Sequence, residues 1–174
     1  MIFLFVSVCF GSGCDRLYRV LDKRGAQEKE LIGEVNSLEK NPRVEEIQRL
    51  LKNYGYNPGQ IDGVLGAQTR DSLEAFQKDN GLTASRFVDE DTWAKLNIFE
   101  DQELITHQEL NIRLIQKILK HQGFDPGGVD GNFGAQTKTA TILFQKKAGL
   151  KADGKIGYKT LTEFAKYLPV ASSK

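Results

Sequence analysis

Asp62-Gly63-Val64-Leu65-Gly66-Ala67-Gln68-Thr69 runs on to Phe76-Gln77. The same phrase returns as Asp130-Gly131-Asn132-Phe133-Gly134-Ala135-Gln136-Thr137, running on to Phe144-Gln145. The offset is 68 residues (130 minus 62) and needs no gap. Working outward, Ile47-Gln48 pairs with Ile115-Gln116, Leu51-Lys52 with Leu119-Lys120, and Gly55 with Gly123. Pro58-Gly59 pairs with Pro126-Gly127, Gly81-Leu82 with Gly149-Leu150, and Thr92 with Thr160. A spacing held over so many positions means a duplicated unit, and each copy is to be read as one structural module.

Each copy opens with apolar residues at helical spacing: Val44, Ile47, Leu50, Leu51 and Tyr54 in the first, Ile112, Ile115, Ile118 and Leu119 in the second. Gly55 and Gly123 then stand where a helix C-terminus calls for positive φ. The Pro-Gly and Asp-Gly pairs that follow are turn chemistry, so a compact loop is expected. A second helix starts near Gly66 or Gly134. Its inner stripe is Thr69, Ser72, Leu73 and Phe76, or Thr137, Ala140, Thr141 and Phe144. Gly81 and Gly149 end it. A short third helix carries Asp89 as N-cap with Trp93 and Leu96 inward, and its counterpart carries Leu161 and Phe164. No stretch alternates with period two, so the fold class is all-α, two tandem three-helix modules.

The order Ile-Gln-x-x-Leu, Gly-(Tyr/Phe), Pro-Gly, Asp-Gly-x-x-Gly-x-x-Thr, Phe-Gln, Gly-Leu, Thr-(Trp/Leu) resembles the peptidoglycan-binding-like domain, over roughly 43–97 and 111–166. That resemblance implies a three-helix module of the kind attached to bacterial cell-wall hydrolases, amidases and transpeptidases. Copy one departs late, with Ser85-Arg86 in place of Asp153-Gly154.

The remaining sequence suggests where such modules would be held. Residues 1–13 are apolar and then small, ending before Cys14, and resemble a lipoprotein-type signal peptide. This uncharged ten-residue stretch is too short to span a bilayer. No Lys or Arg precedes them, and Gly11 stands three before Cys14, both departures from the usual pattern. Acylation of Cys14 would anchor the chain, since several acyl chains at roughly 0.8 kcal/mol per methylene hold where one does not. Cys9 would leave with the signal, so the modules carry no thiol. Residues 14–41 read as a charged tether, loosely helical or a disordered linker, interrupted by Gly25. Asn41 and Pro42 then cap and open the first helix. Residues 42–97 form the first domain, 98–110 a linker, and 111–168 the second domain. Phe99, Leu104 and Ile105 make the linker apolar enough for the copies to touch, and Thr106 is placed to cap the next helix. Ile142 and Leu143 replace Glu74 and Ala75, adding apolar surface where copy two could meet copy one or the linker.

Composition excludes some classes. The formal net charge is +1 without a run of Lys or Arg, which argues against nucleic acid. Two unmatched histidines, His107 and His121, make no zinc site, and neither a metal nor another cofactor is implied. Asp62 and Asp130 are turn carboxylates that bond nearby amides. A calcium loop would need carboxylates at Pro126 and Thr137. Thr69 and Thr137 are expected as buried hydroxyls bonding within the first helical turn, with no base to make them nucleophiles.

Candidate ligand contacts are the loop and the outer start of the second helix: Tyr56, Asp62, Gln68 and Arg70 in copy one, Phe124, Asp130, Asn132, Gln136 and Lys138 in copy two. Tyr56 and Phe124 either pack under the loop or line a groove. Polar side chains and helix N-terminal amides there would meet glycan hydroxyls or peptide carboxylates. The expected function is non-catalytic peptidoglycan binding by a membrane-anchored lipoprotein facing the periplasm or cell wall, with no catalytic residue. The alternative is an envelope protein-protein interaction module, an adaptor for a cell-wall enzyme or secretion component.

Overall fold

The computed structural model describes residues 23–33 and 39–168. The expected signal and Cys14 lie outside the described residues. Among those described, no helix is long and apolar enough to cross a membrane.

Residues 23–32 are helical (α1). Module one follows as α2 (Pro42–Asn53), α3 (Ala67–Asp79) and α4 (Glu90–Asp101). A minimal hairpin, β1 (Ile105–Thr106) and β2 (Glu109–Leu110), leads to α5 (Ile112–His121), α6 (Ala135–Lys147) and α7 (Tyr158–Ala165) of module two. The fold is therefore all-α apart from four strand residues.

Local chemistry explains the boundaries. Asn41 caps α2, its Oδ1 accepting from the Arg43 nitrogen at 2.8 Å, and Pro42 occupies the first turn. Asp89 caps α4 through the Thr92 nitrogen at 2.9 Å. The buried stripes of α3 and α6 are the expected ones, each lengthened by a glutamine, Gln77 or Gln145. One contiguous core joins both modules, from Val44 and Phe76 to Phe144 and Phe164. The Tyr54 hydroxyl donates to the Leu96 carbonyl, tying the end of α2 to α4.

Three expectations need correction. First, α4 continues past Asn97 to Asp101, because Thr92, Leu96 and Phe99 form one buried stripe at helical spacing. Second, Thr106 does not cap α5. It lies in β1, paired with Glu109, and Asn111 caps α5 instead through the Leu114 nitrogen at 3.1 Å. Leu104 and Ile105 are buried at 0% and 1% exposure, which holds this stretch against the core in an extended form. The hairpin turn places His107 (φ 52°) and Gln108 (φ 62°) in the left-handed region, where Gly or Asn is usual.

Third, the described part of the tether is docked rather than loose. Gly25 lies inside α1, and the helix sinks Glu28 (5% exposed) and Ile32 (3%) against module one. The Glu28 carboxylate takes both Arg70 Nη1 (2.6 Å) and Nη2 (2.8 Å), and also accepts from the Val88 nitrogen at 2.9 Å.

The modules touch, with Phe99 of the expected apolar stretch in the contact, but not through Leu143. Leu143 is 46% exposed. The contact is instead made by Tyr158, which opens α7. Its nitrogen donates to the Tyr54 carbonyl at 3.2 Å. Its ring sits edge-on to Tyr54, Phe76 and Phe99, with centroids at 5.1, 5.5 and 5.0 Å. Asn53 holds the connecting hairpin to α2 through the Gln108 carbonyl at 2.6 Å.

Candidate functional site

Each module contains a loop wrapped around a buried glutamine. Gln48 projects from the inner side of α2, where its Nε2 donates to Asp62 Oδ1 (3.0 Å), the Val64 carbonyl (3.1 Å) and Thr69 Oγ1 (3.2 Å). Its Oε1 accepts from the nitrogens of Asp62 and Gly63, both at 3.0 Å. In copy two Gln116 does the same, reaching Asp130 Oδ1 (2.9 Å), the Asn132 carbonyl (3.0 Å) and Thr137 Oγ1 (3.1 Å), and accepting from the Gly131 nitrogen at 2.8 Å. One amide thus satisfies both faces of a tight turn that has no secondary structure of its own. A Cβ on Gly63 would lie 2.9 Å from the Asn41 nitrogen, and φ there is +75°, so glycine is required.

Asp62 and Asp130 do bond local amides. Asp62 Oδ1 accepts from the Val64 nitrogen at 2.9 Å, and Asp130 Oδ1 from the Asn132 nitrogen at 2.8 Å. The Gln116 amide, followed by the Asn132 nitrogen and side chain, holds the Asp130 carboxyl down at about 2. Asp62 is also lowered, first by Gln48 and then by the Val64 nitrogen. Thr69 and Thr137 are buried, yet they donate across the loop to the Pro58 (3.0 Å) and Pro126 (3.1 Å) carbonyls rather than within their own helical turn. Each threonine therefore pins the Pro-Gly turn to the start of the second helix.

Above this brace lies the surface that carries the remaining candidates. Gln68 and Gln136 are exposed and lie over Gly59 and Gly127, where a Cβ would collide with the glutamine side chain. In copy one Gln68, Asp62, Gly59 and the uncapped N-terminus of α3 at Gly66 line a shallow depression of about 310 Å³. In copy two Asn132, Gln136 and Lys138 are all exposed on the equivalent face.

Besides Val64 against Asn132, the two copies differ on it in how a cation and an apolar side chain are placed. Arg70 is held by Glu28, donates to the Arg86 carbonyl at 2.8 Å and lies over the Phe87 ring at 5.1 Å. Its counterpart Lys138 is open to solvent. Leu65 is 7% exposed, whereas its counterpart Phe133 is 40% exposed beside Asn132. Sequence reasoning passed over Phe133; the signal was an aromatic in a turn where the other copy has a core leucine.

Tyr56 and Phe124 pack under the loop, edge-on to Phe76 (5.7 Å) and Phe144 (6.0 Å). Their outer edges remain partly exposed. Tyr56 donates to Asp79 at 3.0 Å, and at the matching position Lys147 sits 5.6 Å over the Phe124 ring. Burial and the Asp79 bond push the Tyr56 hydroxyl up, so it stays a donor.

A second glutamine brace was also missed. Gln77 Nε2 donates to Ser85 Oγ, the Phe87 carbonyl and Thr92 Oγ1, while Oε1 accepts from the Arg86 nitrogen at 2.9 Å. Gln145 does likewise with the Lys155 carbonyl, Thr160 Oγ1 and the Gly154 nitrogen at 2.8 Å. Ser85-Arg86 therefore leaves the last loop intact: Arg86 adopts φ 68° where Gly154 has 72°. The Phe-Gln pair repeated at both positions was the available clue. Among the described residues no cluster of three or more metal-binding side chains occurs.

Comparison with known proteins agrees with this geometry. The profile of the family described as "Putative peptidoglycan binding domain" matches residues 40–96 and 108–163. The N-acetylmuramoyl-L-alanine amidase CwlM of Mycobacterium tuberculosis is 34% identical over 107 residues, 56% of this chain and 26% of that protein. The uncharacterized protein FadG of Bacillus subtilis is 33% identical over 121 residues, 66% of this chain and 21% of that protein. The chain thus spans about a quarter or less of these curated relatives. No solved structure matches it.

Proposed function

Because the chain belongs to the peptidoglycan-binding domain family, matched once in each half of its fold, we propose that it is a non-catalytic cell-wall binder gripping peptidoglycan with both modules. The observation that carries this reading is the repetition of one exposed surface on one internal brace. Gln48 and Gln116 hold the same turn, and the turn presents polar side chains beside an open helix start. Copy one contributes Tyr56, Asp62 and Gln68. Copy two contributes Phe124, Asp130, Asn132, Gln136 and Lys138, with Phe133 as a flat apolar face for a sugar ring. Arg70 serves to fasten α1, so the cation of the site is Lys138.

Shallow sites bind weakly one at a time. Two on a polymer that repeats its ligand gain roughly 10²–10⁴ in avidity over either alone. Lipid attached to Cys14 would hold one end at the membrane and make the protein a bridge between envelope layers. The amidase activity in the mycobacterial relative's name is not carried over, since the shared stretch is 26% of that protein.

Co-sedimentation of the purified protein with peptidoglycan sacculi tests the reading. The protein is expected in the pellet, with Gln136→Ala/Lys138→Ala reducing the bound fraction. A wild-type protein that stays in the supernatant at low salt would overturn wall binding.

A further inference from the structure

Docking of the two modules creates a groove that neither has alone. It holds about 380 Å³, with Tyr54, Tyr56 and Asp79 on the module-one side and Lys155, Tyr158 and Lys159 on the module-two side. We propose that this groove binds the carboxylate-bearing peptide portion of the wall polymer, an inference that rests on the wall-binding reading and places a third site between the two loops.

The size is right for a few peptide units, at the low end of the range for small-molecule sites. The charge favours an anion. Asp79 is engaged by the Tyr56 hydroxyl. Asp153, also on the rim, takes the Lys155 nitrogen at 2.9 Å and Lys151 Nζ at 3.5 Å. Among the described residues the ammonium groups of Lys155 and Lys159 have no carboxylate within 4 Å, which leaves two exposed cations on the rim. The Tyr158 hydroxyl makes no hydrogen bond among the described residues, while its ring is fixed by three aromatic neighbours. Lysine to carboxylate is a charge-assisted pairing, and tyrosine rings provide the apolar walls a peptide's methyl and methylene groups need.

Comparison of the copies shows that this set is not general helix surface. Sixty-eight residues earlier, Lys151, Lys155, Tyr158 and Lys159 read Thr83, Phe87, Glu90 and Asp91. The basic residues occur in the copy whose third helix begins against the neighbouring module. In copy one the matching end carries Asp89, Glu90 and Asp91 and is covered by α1, with Arg24 3.9 Å from Asp89.

The test is calorimetric titration of the full chain with a soluble disaccharide-tetrapeptide, its carboxyl-amidated form, and the peptide-free disaccharide, alongside sacculus sedimentation. Binding is expected for the free-acid peptide form, weakened at least tenfold by amidation or by Lys155→Ala/Lys159→Ala. Gly157→Ala should weaken it too, because a Cβ there would lie 2.9 Å from the Tyr54 carbonyl oxygen and part the modules. Equal binding of the peptide-free disaccharide, or unchanged binding by the double variant, overturns the groove assignment. If wild type sediments with sacculi in that case, the wall-binding reading stands without it; if wild type neither sediments nor titrates, both fall.

Discussion

Glu28 grips Arg70 with both carboxylate oxygens, at 2.6 and 2.8 Å, and closes α1 onto module one at the position where module two has the exposed Lys138. The carboxylate is 7% exposed and the guanidinium 23%, so removing one partner strands a largely desolvated charge. Glu28→Ala is expected to cost about 2–4 kcal/mol of α1 docking. Limited proteolysis should then cut within residues 23–33 much faster, while the two modules resist as before.

Tyr158 is the wedge between modules. Tyr158→Ala removes three edge-to-face ring contacts from a half-buried position and is expected to cost about 2–4 kcal/mol. Small-angle scattering should show the particle lengthen as the modules separate. Tyr158→Phe should leave the scattering profile unchanged, since the hydroxyl has no partner among the described residues.

The glutamine braces are expected to be among the most sensitive polar positions. Gln116→Leu deprives the Gly131 nitrogen and the buried Thr137 hydroxyl of their glutamine bonds, at about 1–3 kcal/mol. Gln116→Glu should be worse at neutral pH, because it sets a second carboxylate against Asp130. Urea melts of the two variants at pH 7 would rank them.

Acid should act on the same loop. Asp130 has a folded-state pKa of about 2 against an ordinary 3.8, so its stabilising effect is fully present above about pH 4 and is lost as pH falls toward 2. Asp62 shifts in the same direction. Asp130→Asn should therefore lie below wild type in melting temperature at pH 6, with the gap closing near pH 2. A gap that does not change with pH would show that ionisation of Asp130 adds nothing to the loop.

Much of this was legible because a duplication tests itself. The helices and both apolar stripes follow from spacing that recurs at a fixed offset, whereas the caps at Asn41 and Asp89 follow from residue type beside a helix start and have Glu109 and Gly157 at the matching positions. What recurred as a polar residue beside the stripe, Gln48 with Gln116 and Gln77 with Gln145, was noticed as a marker and not as a brace. Helical periodicity says which side a residue takes, not which loop folds back over it. Tyr158 was missed for the opposite reason: its counterpart is Glu90, so the comparison of copies offered no support. Leu143, a similar unmatched apolar change, was assigned to the contact and is instead exposed. Apolarity alone does not choose between two unmatched positions; the backbone bond from Tyr158 to Tyr54 does.

The seating of module two on module one has a direction. The front of one unit rests on the back of its predecessor, as α1 rests on the front of module one, and such head-to-tail packing contains no symmetry that would close it. The back face must then suit its circumstances separately in each copy. Where module one offers Tyr54 and buried Phe99 to a neighbour, module two has Gln122 and Tyr167, the latter 43% exposed. Gln122 in place of Tyr54, and an exposed Tyr167 in place of buried Phe99, leave that rear surface more open to water than its counterpart on module one.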